Sequence, residues 1–292
     1  MEVLIEIFFK QCKLNTMYKI TYSIFISCLC IFMNGCTKDA DVKLPAVESK
    51  LVINSFISPQ DTIVKAVVTI SQPLYNNSNS GNYSIISNAA VQISDGVNTK
   101  TLTYNSTENY YSVHTSEFPI TAGGSYHLTV TTPDGKNVNA STTIPSANST
   151  LTFTSHLVND PNQSDGYSIE AKWNDSPGTE DYYRIAYYGK EYYGNSDTSY
   201  SVFSDYFSDK DADGKVFDKS IKIYQSISAP GNSGELYLIH ATKEYYLFHT
   251  KLAASGNSSD NPFAEPVQMF TNINGGFGVF AGFNQYKLPV FL

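Results

Sequence analysis

Carboxylates at alternate positions followed by a glycine are the residues in this chain best spaced for chemistry. In "SDKDADGKVFD" (Ser208 to Asp218), Asp209, Asp211 and Asp213 take positions 1, 3 and 5 of a calcium loop. Gly214 takes position 6, where the loop turns sharply, and apolar Val216 takes position 8. Hard carboxylate oxygens in such an arc suit a hard divalent cation. The pattern is incomplete, because Ser220 stands where the closing bidentate glutamate belongs, so Asp205 or Asp218 would have to supply the missing carboxylate. "YSVFSDYF", just before the loop, alternates like a strand rather than forming the helix that such loops usually follow. Asp209, Asp211 and Asp213 are therefore candidate calcium ligands of a structural kind, and the alternative is a solvated turn in which Asp and Gly simply favour turning.

No other motif has the context its chemistry needs. "GFGVFA" (Gly276 to Ala281) matches a nucleotide-binding spacing, but no helix follows it and no ribose-binding acid lies beyond it. Ser233 in "GNSG" has no identifiable His and Asp partners. His114, His127, His156, His240 and His249 form no metal-ligand spacing and read as surface or half-buried residues. The expectation is a protein that is not an enzyme. The strongest compositional feature is aromatic, with 22 Tyr and 17 Phe against a single Trp. In "YYRIAYYGKEYY", Tyr183, Ile185 and Tyr187 share one strand face while Tyr182, Arg184 and Tyr188 share the other. Trp173, Tyr187, Tyr188, Tyr192 and Tyr193 are candidate ligand-binding aromatics, able to stack on a sugar or grip a peptide. The alternative is an aromatic sheet wall.

The elements that would position these residues are mostly strands. From Lys50 to Pro145, Val- and Ile-rich runs such as "KLVINSFIS" and "DTIVKAVVTISQPL" alternate, with hairpin signals at Asp95-Gly96 and Asp134-Gly135. About seven short strands at regular spacing predict an immunoglobulin-like β-sandwich over 50–147. A Ser/Asn linker, "SANST", then opens an aromatic-rich β-sandwich or barrel-like domain over 148–292. One helix is expected near 242–254. Tyr245, Phe248 and Leu252 would share its face, Thr242 would cap it and Gly256 would end it. Two final strands joined through Asn274-Gly275-Gly276 are expected to close the chain.

All four cysteines, Cys12, Cys28, Cys30 and Cys36, lie within the first 36 residues. "MYKITYSIFISCLCIFMNGC" has a charged start, a short apolar run and small Gly35 before Cys36, which is the layout of a secretory signal. Cysteine at that place is the acceptor of a lipoprotein's diacylglyceryl group, so residues 1–36 are read as signal peptide, with Met17 as the expected start and Cys36 as the lipidation site. Residues 37–49, including "TKDADVKLP", form a polar tether. The body beyond Cys36 then has no cysteine, which excludes disulfides, thiolate metal sites and a cysteine nucleophile there. A net charge of −8 with one arginine, Arg184, excludes a nucleic-acid binder.

The run "NPFAEPVQMFTNINGGFGVFAGF", taken with the signal, "KLVINSFIS", "FSDKDADGK" and "YYLFHTKL", resembles a Bacteroidota outer-membrane lipoprotein family of unknown function, the domain-of-unknown-function 4249 type. That family is often encoded beside TonB-dependent receptors. The resemblance implies a lipid-anchored protein exposed on the cell surface, partnered by a TonB-dependent receptor and handling a glycan, peptide or metal-chelate ligand. A structural adhesin or cell-envelope assembly factor is the alternative. No catalytic residue comes with the resemblance.

Overall fold

Strict alternation along the first strand decides which way the N-terminal half folds. In β1 (Leu51–Ile57) every second residue is buried, so Leu51, Ile53 and Ile57 enter a core while Val52, Asn54 and Phe56 face away. The computed structural model describes residues 48–72, 84–158, 166–193, 196–223, 233–258 and 267–291, with backbone alone at 190–193, 196–202, 233 and 257–258.

The strands that follow are β2 (Ile63–Ile70), β3 (Ser84–Ile85), β4 (Ala90–Ser94), β5 (Thr99–Asn105), β6 (Tyr110–His114), β7 (Ser125–Thr131) and β8 (Asn137–Thr143). Strands β1-β2-β6-β5 are neighbours in that order, and so are β4-β7-β8. This is the ABED/CFG arrangement of a constant-type immunoglobulin sandwich. The β4–β5 hairpin joins the two layers at the Asp95-Gly96 turn, where Asp95 N–H donates to the Asn98 carbonyl at 3.1 Å. Val91 and Ile93 point inward as their alternation predicts. A tyrosine corner supplies the landmark that the missing cysteines and tryptophan do not. Near the start of β7, the Tyr126 hydroxyl accepts from Thr121 N–H at 2.7 Å and donates to the Pro119 carbonyl at 3.3 Å.

The second half contains β9 (Thr152–Val158), β10 (Gly166–Asn174), β11 (Tyr182–Tyr193), β12 (Ser196–Ser208), β13 (Val216–Ile223), β14 (Ser233–Ala241), α1 (Lys243–Ser258) and β15 (Phe277–Phe291). Strands β13-β10-β9 form a small sheet. Strands β12-β11-β14-β15 continue directly into β1, so one mixed sheet of 12 strands runs through both halves and does not close into a barrel. Val47–Leu292 form one compact unit. The chain nonetheless has distinct cores. One fills the first sandwich and includes Phe280 and Ile273 from the C-terminal region. Another lies between β9/β10/β13 and β11/β14, around Trp173, Tyr183, Ile185, Tyr187 and Leu238. A third lies under α1, with Tyr245, Val279 and Ala281.

The parallel β1–β15 pairing explains the glycines of "GGFGVFAGF". Gly278 has φ +97°, and a Cβ there would run into the Ile53 backbone. Two final strands were expected. The structure has one strand of 15 residues, because Asn274 makes only an isolated bridge to Asn139 and Gly275 turns the chain into β15. The same strand occupies "GFGVFA", where a nucleotide fingerprint would need a helix. The predicted helix exists but is longer than its pattern. The Thr242 hydroxyl accepts from Tyr245 N–H at 3.4 Å at its start, while Gly256 lies inside it rather than ending it. Leu252 is exposed because α1 lies on the sheet only through its first two turns, where Tyr245 is buried and Phe248 half-buried.

Candidate metal centre

Asp209 immediately follows β12, and Asp175 immediately follows β10. The loops they open, 175–181 and 209–215, are laced together. Asp209 N–H donates to the Asp181 carbonyl at 3.1 Å, and Asp175 N–H donates to the Lys215 carbonyl at 3.0 Å. The Asp209 carbonyl accepts from Ala212 N–H, which makes the tight turn. Gly214 is required in that turn by φ +67° and by the approach of Pro177, whose Cβ would lie 2.9 Å from an added Cβ.

The carboxylates converge through this lacing. Gly214 N–H donates to Asp175 Oδ2 and the Tyr183 hydroxyl to Asp175 Oδ1, both at 2.8 Å. Gly178 N–H donates to Asp213 Oδ1 at 2.8 Å. Ligand oxygens of Asp175, Asp209 and Asp213 lie within 4.8 Å of one another. Asp209 is 2% exposed, and both its carboxylate oxygens are buried with no hydrogen-bond partner among the described residues. Burial, with the negative charges of Asp175, Asp181 and Asp213 nearby, raises its pKa above the usual carboxylate value despite the backbone bond to Asp181. Burial and then the bond to Asp175 likewise push the Tyr183 hydroxyl upward.

The calcium-loop reading is thus recast. Asp209 and Asp213 come together, but Asp211 is exposed and outside the cluster, and it meets Lys215 only through its carbonyl, at 3.1 Å. Neither substitute carboxylate arrives. Asp218 pairs with Lys172 at 3.1 Å, and Asp205 accepts from Tyr206 N–H at 2.8 Å. The third member is Asp175, 34 residues before Asp209, which no loop spacing could reveal. Beside the cluster, buried His240 places Nε2 3.0 Å from Asp181 Oδ1 and Nδ1 2.9 Å from the Ser146 carbonyl. His240 is thereby the exception among the histidines. His114, His127 and His156 are exposed, and His249 is half-buried.

The chain belongs to the DUF4249 family. Its model, described as a domain of unknown function, matches residues 37–288. No curated protein matches the chain. Among solved structures, a chain of a cytokine receptor complex aligns at 10% identity over 67% of this chain and 85% of its own, with a TM-score of 0.24. That likeness is too low to carry an argument.

The candidate aromatics of this DUF4249 chain divide by strand face. Trp173 and Tyr187 are each 1% exposed and belong to the core between the sheets, so neither ring offers a face to a ligand. Trp173 stacks on Phe217 at 5.1 Å and meets Tyr183 edge-on at 5.8 Å. Tyr188 lies on the opposite face, half-buried, edge-on to Tyr237 at 5.2 Å. The side chains of Tyr192 and Tyr193, like Cys36, lie outside the described residues.

Arg184 stands beside Tyr188 on that face. It donates to Ser204 Oγ at 2.9 Å and to the hydroxyls of Tyr245 and Tyr188 at 3.0 and 3.2 Å. Its guanidinium lies 5.6 Å from the Tyr206 ring centre. Burial disfavours the cation, but the hydroxyls of Tyr245, Tyr206 and Tyr188 outweigh it and its pKa rises.

Proposed function

We propose that this DUF4249 protein is an exported, lipid-anchored and non-enzymatic component of the outer membrane, an accessory to a TonB-dependent nutrient-uptake system. The observation that carries the reading is the leader. A charged start, a short apolar run and Gly35-Cys36 are followed at once by the family match from residue 37. In this reading Cys36 carries the lipid, the polar segment 37–49 spaces the body from the membrane, and the unit from Val47 onward faces the cell exterior. A sheet continuous through both halves gives a stiff body suited to holding a glycan, peptide or metal chelate against a receptor. Tyr188, half-buried on the outer face of β11, is the described aromatic that such a ligand would meet.

Mass spectrometry of membrane-extracted protein is expected to show a diacylglyceryl group on Cys36, and Cys36→Ser is expected to release the protein from membranes. An unmodified Cys36 on a freely soluble protein would remove the anchor. Mild crosslinking in cells followed by pull-down is expected to capture a TonB-dependent receptor. Recovery of other envelope proteins without a receptor would sink the transport reading in favour of an adhesin or assembly factor.

A further inference from the structure

The buried carboxylate of Asp209 has no partner among the described residues. Both of its oxygens are buried and without a donor, and the residue is 2% exposed. A buried carboxyl without hydrogen bonds is costly, and one beside two further carboxylates is more so. Among the described residues no lysine or arginine forms an ion pair with Asp175, Asp209 or Asp213. His240 is occupied on both ring nitrogens by Asp181 and the Ser146 carbonyl. The other two carboxylates are held by donors of their own: Gly214 N–H from the opposite loop and the Tyr183 hydroxyl from β11 on Asp175, and Gly178 N–H from the opposite loop on Asp213. Convergent oxygens within 4.8 Å fit one ion whose oxygens lie at about 2.3–2.6 Å. The donors are hard carboxylates without thiol or imidazole, which selects a calcium-like cation over zinc or copper.

We propose that Asp175, Asp209 and Asp213 form a calcium site that fastens the small sheet to the large one. Asp175 follows β10 of the small sheet, Asp209 follows β12 of the large sheet, and Asp213 lies in the turn that crosses between them into β13. An ion there ties both sheets at one end of the core around Trp173. The site stands whether or not the protein serves a transporter.

The test uses the full chain, stripped of metal with a chelator and titrated with calcium chloride to millimolar concentration by calorimetry, with melting temperature and Trp173 emission followed in parallel. Wild type is expected to take up one calcium per chain. At tenfold excess over Kd its melting temperature should rise by about 3–6 °C. Emission should also change, because the only tryptophan lies two residues from Asp175. Asp209→Asn is expected to lose both the heat and the melting shift. Asp213→Asn, at an exposed position where an amide oxygen can still accept from Gly178 N–H, is expected to weaken binding at least tenfold with the metal-free fold unchanged. Asp211→Ala is expected to bind as wild type. No heat and no melting shift in wild type at millimolar calcium overturns the site. So does loss of binding in Asp211→Ala with retention in Asp209→Asn, and an equal response to magnesium overturns the assignment to calcium.

Discussion

Asp209 and Arg184 are both charged groups drawn into the second half of the molecule, and their surroundings treat them in opposite ways. Asp209 lies beside other acids and has no donor on either carboxylate oxygen among the described residues. Arg184 has no carboxylate partner among the described residues, yet three neutral hydroxyls and an aromatic face take up its guanidinium. A cation disperses over polarisable rings and accepting oxygens supplied by strands and helix. An anion needs donors or a counter-ion, and the two loops around Asp209 spend their nearby N–H groups on Asp175 and Asp213. One region is complete as the protein makes it, and the other leaves a buried carboxylate without a partner among the described residues.

The largest test of that contrast is Arg184→Met. It strands the hydroxyls of Tyr188 and Tyr245 and removes the contact with Tyr206, so urea unfolding should show a loss of about 2–4 kcal/mol whether or not calcium is present. A loss that depends on calcium would mean the two regions are one system. Next in size, Asp209→Asn should raise the stability of the metal-free protein by about 1 kcal/mol, since it removes an uncompensated buried charge. A destabilised metal-free variant would show that Asp209 is satisfied without an ion.

The response to acid separates the regions by sign. His249 lies among Tyr245, Tyr206, Phe56 and Phe248, facing Arg184, and burial followed by the arginine's charge holds its pKa below the usual value although its bond to the Tyr245 carbonyl works upward. The unfolded chain therefore binds this proton first as pH falls. The stability His249 contributes is complete above about pH 6.5 and is lost as pH falls from there toward its lowered folded pKa. Asp209 acts the other way in metal-free protein. Its raised pKa means that stability is gained as pH falls through that value toward about 3.8. Melting curves between pH 7 and 5 should flatten in His249→Gln by up to about 1 kcal/mol, and an unchanged slope would remove His249 as the acid-sensitive group. The smallest expected effect is Asp211→Ala, within about 0.5 kcal/mol under every condition.

Much of the strand content was legible, because alternation reports which face of a strand is wet. Val91 and Ile93 point inward, and Tyr183, Ile185 and Tyr187 separate from Tyr182, Arg184 and Tyr188 as the period of two requires. β9 was not legible: "TFTSHLV" is short, mostly exposed and reads like the linker before it. The tyrosine corner at Tyr126 was present in the sequence but has no signature without the backbone it returns to. In the acid cluster Asp209 and Asp213 were visible through their spacing, whereas Asp175 in "WNDSP" carried no signal.

Local order alone carried the reading of a leader ending at Cys36, and it determined the alternating strands, the two Asp-Gly hairpins and the start of the helix. Each depends on neighbours a few residues apart. The tertiary structure decided that β15 inserts beside β1, that Trp173 and Tyr187 are core rather than surface, and which acids meet. Those outcomes depend on pairings across tens to hundreds of residues, where chain entropy and packing of whole sheets outweigh any local preference.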